Sequence, residues 1–180
     1  MMKYFAAILF AASMHVCHAQ ESKMPVNSGE TINLGIKAHD EEKYKDAIRE
    51  FQKVPENDTN YILALYETGL SARADSQFNL AKSVTRQAID LGPSPYNHDL
   101  WLMLGSIYDD EKKHDSALNV FRQTHQLYPN SFRTVNAIGI NFYVQKKRDS
   151  AFHYFKKAVL MNPYGISPHY FLGMLAHDAG

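Results

Sequence analysis

Imidazole and carboxylate are the reactive groups that recur along this chain. Four of its nine histidines stand directly before an aspartate: His39-Asp40, His98-Asp99, His114-Asp115 and His177-Asp178. A carboxylate that orients an imidazole can support general acid–base chemistry. Adjacent residues on a helix do not face each other, however, so no such pair forms a dyad by itself. Their positions read instead as caps and solvated turns at helix ends, with Asp115 and Asp149 near helix starts, where the dipole favours negative charge. There is no H-E-x-x-H stretch, G-x-S-x-G elbow, phosphate-binding glycine loop or dinucleotide fingerprint. The lone Cys17 excludes an intrachain disulfide framework and any Cys-pair metal site. Neither a metal nor a cofactor is expected, and a non-catalytic protein is. Asn57-Asp58-Thr59 is a formal glycosylation sequon in an exposed turn.

Composition narrows the class further. With 180 residues there is room for one ordinary domain or a short array of repeats. Lys+Arg and Asp+Glu both number 19, so the chain lacks the basic excess of a phosphate-binding surface, and no nucleic-acid partner is expected. Hydrophobic residues at 45% and charged residues at 21% are close to globular averages.

The N-terminus reads as an export signal. Lys3 precedes the apolar run Tyr4 to Ala12, and Cys17-His18-Ala19 supplies a small-x-small ending. That run is shorter than the roughly 20 apolar residues a bilayer span requires. Residues 1–19 are therefore assigned as a signal peptide, with Gln20 as the mature N-terminus and 20–27 as a linker. A lipid-bearing Cys17 is the lesser alternative, because Met14, His15 and Val16 fit the usual lipoprotein pattern poorly. The expected location is the periplasm, the cell envelope or the exterior.

Elements that could position any site follow from a long-range period. Gly35, Gly69, Gly105, Gly139 and Gly173 lie 34, 36, 34 and 34 residues apart. Twelve residues after each of the first four stands Ala47, Ala81, Ala117 or Ala151, and four further on Phe51, Thr85, Phe121 or Phe155. Thr59, Pro93, Pro129 and Pro163 close the units. Each period reads as two helices around a polar break. In the third, Trp101, Leu104, Ile107 and Tyr108 keep helical spacing up to Asp109, and Ala117, Leu118, Phe121 and Leu127 form a second stripe. The pattern predicts helices near 28–40 and 44–55, 61–74 and 78–91, 98–110 and 114–127, 132–145 and 148–161, and a lone helix near 167–178. A mid-helix glycine costs about 1 kcal/mol relative to alanine, so its recurrence implies close helix packing in return.

These columns resemble the tetratricopeptide repeat family. The third unit carries nearly the whole pattern: Trp101-x2-Leu104-Gly105-x2-Tyr108, Ala117-x3-Phe121 and Pro129. The fourth substitutes Val135 and Phe142 conservatively; the first and second depart further, at Thr31, Ala38, Thr59 and Thr85. The resemblance covers residues 28–180, as repeats near 28–61, 62–97, 98–131 and 132–165 and a partial unit at 166–180. It implies an all-α, right-handed superhelical solenoid of antiparallel helix pairs. Because 166–180 matches only a first helix and is rich in apolar residues, the array is expected to continue beyond this segment.

The family resemblance also implies a binding scaffold whose first helices line a concave groove. The positions it places there are Ile32, Ile36 and His39; Tyr66, Leu70 and Arg73; Leu102, Ser106 and Asp109; Asn136, Ile140 and Tyr143; and Tyr170 and Met174. Tyr66, Tyr143 and Tyr170 are the expected anchors, since a phenol suits a half-wet groove, although core packing competes for the same rings. Some family members clamp a chaperone's C-terminal carboxylate with lysine, asparagine and arginine. Arg73 and Asn136 are the only comparable groups here, which argues against that use. The expected function is an exported scaffold for a protein or peptide partner. The alternative is a sensory or assembly segment of a larger envelope protein.

Overall fold

A computed structural model describes residues 27–177, so the signal-peptide and Cys17 assignments lie outside the described residues. Nine helices and no strand occur among them. They are α1 (Ser28–Asp40), α2 (Tyr44–Phe51), α3 (Tyr61–Ala74), α4 (Phe78–Asp90), α5 (Asn97–Asp110), α6 (His114–Leu127), α7 (Phe132–Val144), α8 (Arg148–Met161) and α9 (Ile166–His177). Side-chain caps start α1 and α7: Asn27 Oδ1 accepts from Glu30 N–H, and Ser131 Oγ from Thr134 N–H. One helix is shorter than its pattern. α2 stops at Phe51 rather than near 55, because Pro55 disfavours helical backbone at the residue before it. Val54 nevertheless turns inward and is buried.

The turn inside each hairpin is made the same way four times. Glu42, Ser76, Lys112 and Lys146 adopt φ of 60°, 57°, 62° and 60°, the left-handed conformation that glycine usually supplies at a helix C-terminus. In the third unit Lys112 N–H bonds Asp109 O at 2.9 Å, and Lys113 N–H bonds Tyr108 O at 2.9 Å. Such paired bonds satisfy carbonyls that the helix end leaves open, and the same pair recurs in the other three hairpins. The reversal is therefore abrupt, and the two helices of a unit lie against each other.

Contact between those helices rests on the glycine column. A Cβ at Gly105 would come within 2.3 Å of the Phe121 ring, at Gly35 within 2.3 Å of Phe51, and at Gly139 within 2.7 Å of Phe155. The glycine is thus a notch and the phenylalanine of the partner helix its filler. Where Thr85 replaces the phenylalanine, the Met103 side chain reaches in from the next unit, 3.1 Å from the Gly69 Cβ position. Ala47, Ala81, Ala117 and Ala151 are completely buried opposite these notches.

Two layers result. The odd-numbered helices α1, α3, α5, α7 and α9 each touch the next odd-numbered helix, whereas the even-numbered helices touch only their immediate neighbours in sequence. Helices that sit closer together lie on the inside of a curve, so the odd-numbered helices form the concave face.

Candidate functional site

The concave face is built from the residues of α1, α3, α5 and α7 that the hairpin notches leave turned away from α2, α4, α6 and α8. Two clefts open on it. The first, about 260 Å³, is lined by Arg73 of α3, Ser106, Asp109 and Asp110 of α5, Lys112 and His114 at the turn, and Ala137, Ile140 and Val144 of α7, with Phe121 at its floor. The second, about 350 Å³, is lined by His39, Leu70, Arg73, Ala74 and Asp110. Arg73 and Asp110 belong to both, and Arg73 Nε donates to Asp110 Oδ2 at 2.5 Å between them.

A polar network stiffens the wall of the first cleft. Asn141 is fully buried and donates from Nδ2 to Asp109 Oδ1 at 2.6 Å and to the His114 carbonyl at 3.0 Å. Its Oδ1 accepts from Gln145 Nε2 at 2.8 Å. His114 Nδ1 lies 2.9 Å from the same Asp109 oxygen. Burial raises the Asp109 pKa, opposed by the hydrogen bonds from His114 and Asn141, which favour its carboxylate. The imidazole thus pairs across the turn, five residues back, with its ring against Asp109. At the other end of the groove, His39 Nδ1 sits 2.8 Å from Ser71 Oγ. No group of three His, Cys, Asp or Glu among the described residues is arranged to hold a metal ion.

The residues named from the sequence separate into distinct places. Leu70, Arg73, Asp109 and Ile140 line the clefts, as do His39 and Ser106. Tyr66 is half-buried, stacked on Tyr96 at the start of α5 with ring centroids 5.6 Å apart. Tyr143 meets Phe171 edge-on at 5.1 Å. Leu102 packs against the core of the later units. Asn136 donates to Ser167 Oγ at 3.0 Å, bridging α7 to α9. Ile32 is buried and Ile36 packs beside it, whereas Tyr170 and Met174 stand on exposed α9. Asp110, Val144 and His114 are cleft residues that the column pattern did not single out. Asp110 lies 37 residues after Arg73, one residue past the 36-residue spacing of these two units, and His114 belongs to the second helix of its unit.

The odd–even layering, the glycine notches and the 34-residue period together decide the architecture. The family model for the tetratricopeptide repeat matches residues 99–131, the most regular unit. That unit is a tetratricopeptide repeat, and the fold is that of a tetratricopeptide solenoid. A crystal structure of MamA superposes with a TM-score of 0.62 at 28% identity, over 76% of this chain and 79% of that one. PilF from Pseudomonas aeruginosa superposes with a TM-score of 0.67 at 20% identity, over 84% of this chain and 68% of that one. YrrB, described as a TPR protein with an unusual peptide-binding site, superposes with a TM-score of 0.57 at 20% identity, over 85% and 78% of the two chains. No curated protein sequence matches the chain. Among the described residues, no helix is long and apolar enough to cross a membrane.

Proposed function

We propose that the mature chain is an exported, non-catalytic scaffold that receives an extended segment of a partner protein or peptide along its concave face. One observation carries this reading: two clefts on the concave face adjoin at Arg73 and Asp110 and together reach from α1 to α7. Its lining suits a peptide. Leu70, Ile140 and Val144 offer apolar contact, while Arg73, Ser106, Asp109 and Asp110 can bond to backbone amides and carbonyls. The peptide-binding site ascribed to YrrB, on a similar fold, supports the same use. Export rests on the three-part pattern of residues 1–19.

Site-specific photocrosslinking in the native host tests the proposal. A photoreactive residue at Leu70 or Ile140 should capture a partner, and one at Asn119, exposed on α6, should not. Capture from position 119 alone would place the partner on the outer face. N-terminal sequencing of the same material should begin at Gln20; a retained Met1 would remove the exported part of the reading.

A further inference from the structure

The outer layer departs from the repeat at the junction between the second and third units. The residue after the buried alanine is Ile48 in the first unit and Leu118 in the third, and both are buried in hydrophobic clusters that reach the following unit. In the second unit it is Lys82. Its Nζ lies 2.7 Å from both carboxylate oxygens of Glu111 in the third unit, and each of these side chains is only 13% exposed. A largely buried ion pair holds a fold no better than an aliphatic contact of similar volume, so packing alone gives no reason for the exchange.

A groove opens beside that pair. The odd-numbered helices approach one another, so the even-numbered ones splay, and α4 and α6 do not touch. The groove, about 760 Å³, is larger than either concave cleft and is lined by Lys82, Arg86 and Asp90 of α4, Tyr108 of α5 and Lys113 just before α6. Its charges do not balance around Tyr108. Lys113 Nζ also reaches Glu111, at 3.3 Å, so one carboxylate serves two ammonium groups. Arg86 has no ion pair among the described residues. It donates instead to the Tyr108 hydroxyl, and its guanidinium stands 5.9 Å from the ring centroid, with Lys82 Nζ at 5.7 Å. Asp90, one turn further along α4, pairs with none of the three cations. A guanidinium held by a phenol oxygen and an aromatic face keeps N–H groups for a bidentate carboxylate. We infer that this outer groove is a second docking site, which takes an extended acidic segment of a partner protein with one carboxylate seated on Arg86. Its α4 wall runs from Asn79 to Leu91, roughly 18 Å at 1.5 Å per residue, which is the span of about five extended residues. Asn79 and Ser83 on that wall supply polar groups for the segment's main chain. The site belongs to the even-numbered layer and is separate from the concave clefts.

The third unit supplies the control. Arg122 occupies there the place of Arg86, but with Leu118 and Phe142 where the second junction has Lys82 and Tyr108. The probe is a hexapeptide of glutamate, blocked at both ends and titrated into isotope-labelled protein by NMR. It should shift the Arg86 side-chain N–H and the α4 amides saturably and one to one. Arg86→Gln, an exposed change, should weaken binding at least tenfold while circular dichroism stays helical, and Arg122→Gln should leave binding unaltered. The same peptide made of glutamine should not bind. Absence of saturable binding, or equal losses from the two arginine variants, would overturn the inference, since charge alone would then decide. Equal binding of the glutamine peptide would remove the role of the carboxylate. Binding abolished by Arg73→Ala would place the peptide in the concave clefts instead. Inorganic phosphate that binds at Arg86 more tightly than the peptide would overturn the inference as well, the occupant then being a small anion.

Discussion

At the scale of single residues, one glycine column supplies two opposite stability effects. Phe121 is 2% exposed, so its ring has little room to yield to a Cβ placed 2.3 Å away at Gly105. Gly105→Ala should therefore destabilise the protein by about 1–3 kcal/mol through overpacking, despite the better helix propensity of alanine. Gly173 meets nothing, so Gly173→Ala should instead slow amide exchange within α9 by up to about 1 kcal/mol of local stability. Thermal unfolding and hydrogen exchange of the two variants check both signs. Ala117 is completely buried against the same contact, and Ala117→Leu should likewise cost about 1–3 kcal/mol. A third effect comes from the hairpin turns. Lys112 holds a left-handed φ of 62° that L residues disfavour, so Lys112→Gly should raise stability by about 1 kcal/mol in denaturant titration. The notch residues were legible in the sequence because their small size is the function they perform. The turn residues were not: Glu42, Ser76, Lys112 and Lys146 share a conformation, not a residue type, and their hydrogen bonds are visible only in the folded chain.

Among the helices, the 34-residue register gave boundaries that the structure reproduces closely from α3 through α9, because polar breaks and prolines punctuate every unit. The exception, the early end of α2, turns on Pro55, whose restriction on Val54 outweighs the repeat pattern. Side-chain placement between units was less legible. Tyr66 and Tyr143 face the rings of Tyr96, which caps α5, and Phe171 of α9, and a contact of that kind depends on how successive hairpins stack rather than on spacing within one helix. Inter-helix burial also has a pH signature. Burial, with Arg133 adding to it, lowers the pKa of His98, which lies 3.0 Å from Thr134 Oγ1; burial, then Lys157, lowers that of His125. With folded values below the unfolded value of about 6.5, both groups favour the fold while neutral, and that contribution is lost as pH falls below about 6.5. The melting temperature of the parent should thus fall relative to His98→Gln/His125→Gln as pH is lowered from 7.5 to 5. A constant difference between the two would show that neither ring titrates differently on folding.

Across the whole molecule, the closer spacing of the odd-numbered helices creates a concave face, on which two clefts adjoin at Arg73 and Asp110. That the chain is a curved array could be read from its repeats; which groups meet between the clefts could not, because Arg73 and Asp110 are brought together by the way successive units stack. Lys+Arg and Asp+Glu are equal at 19, so long-range steering of a partner should be weak and affinity should vary only modestly with salt. The most direct measurement is the dissociation constant of the photocaptured partner for Arg73→Ala/Ile140→Ala against the parent. The Arg73–Asp110 pair is partly exposed, at 35% and 38%, and contributes little to folding, so the variant should keep its helical circular dichroism. Binding should weaken at least tenfold, about 1.4 kcal/mol, while Asn119→Ala/Gln123→Ala on the outer face leaves it unchanged. A folded double variant that binds as tightly as the parent would contradict the assignment of the concave face as the binding surface.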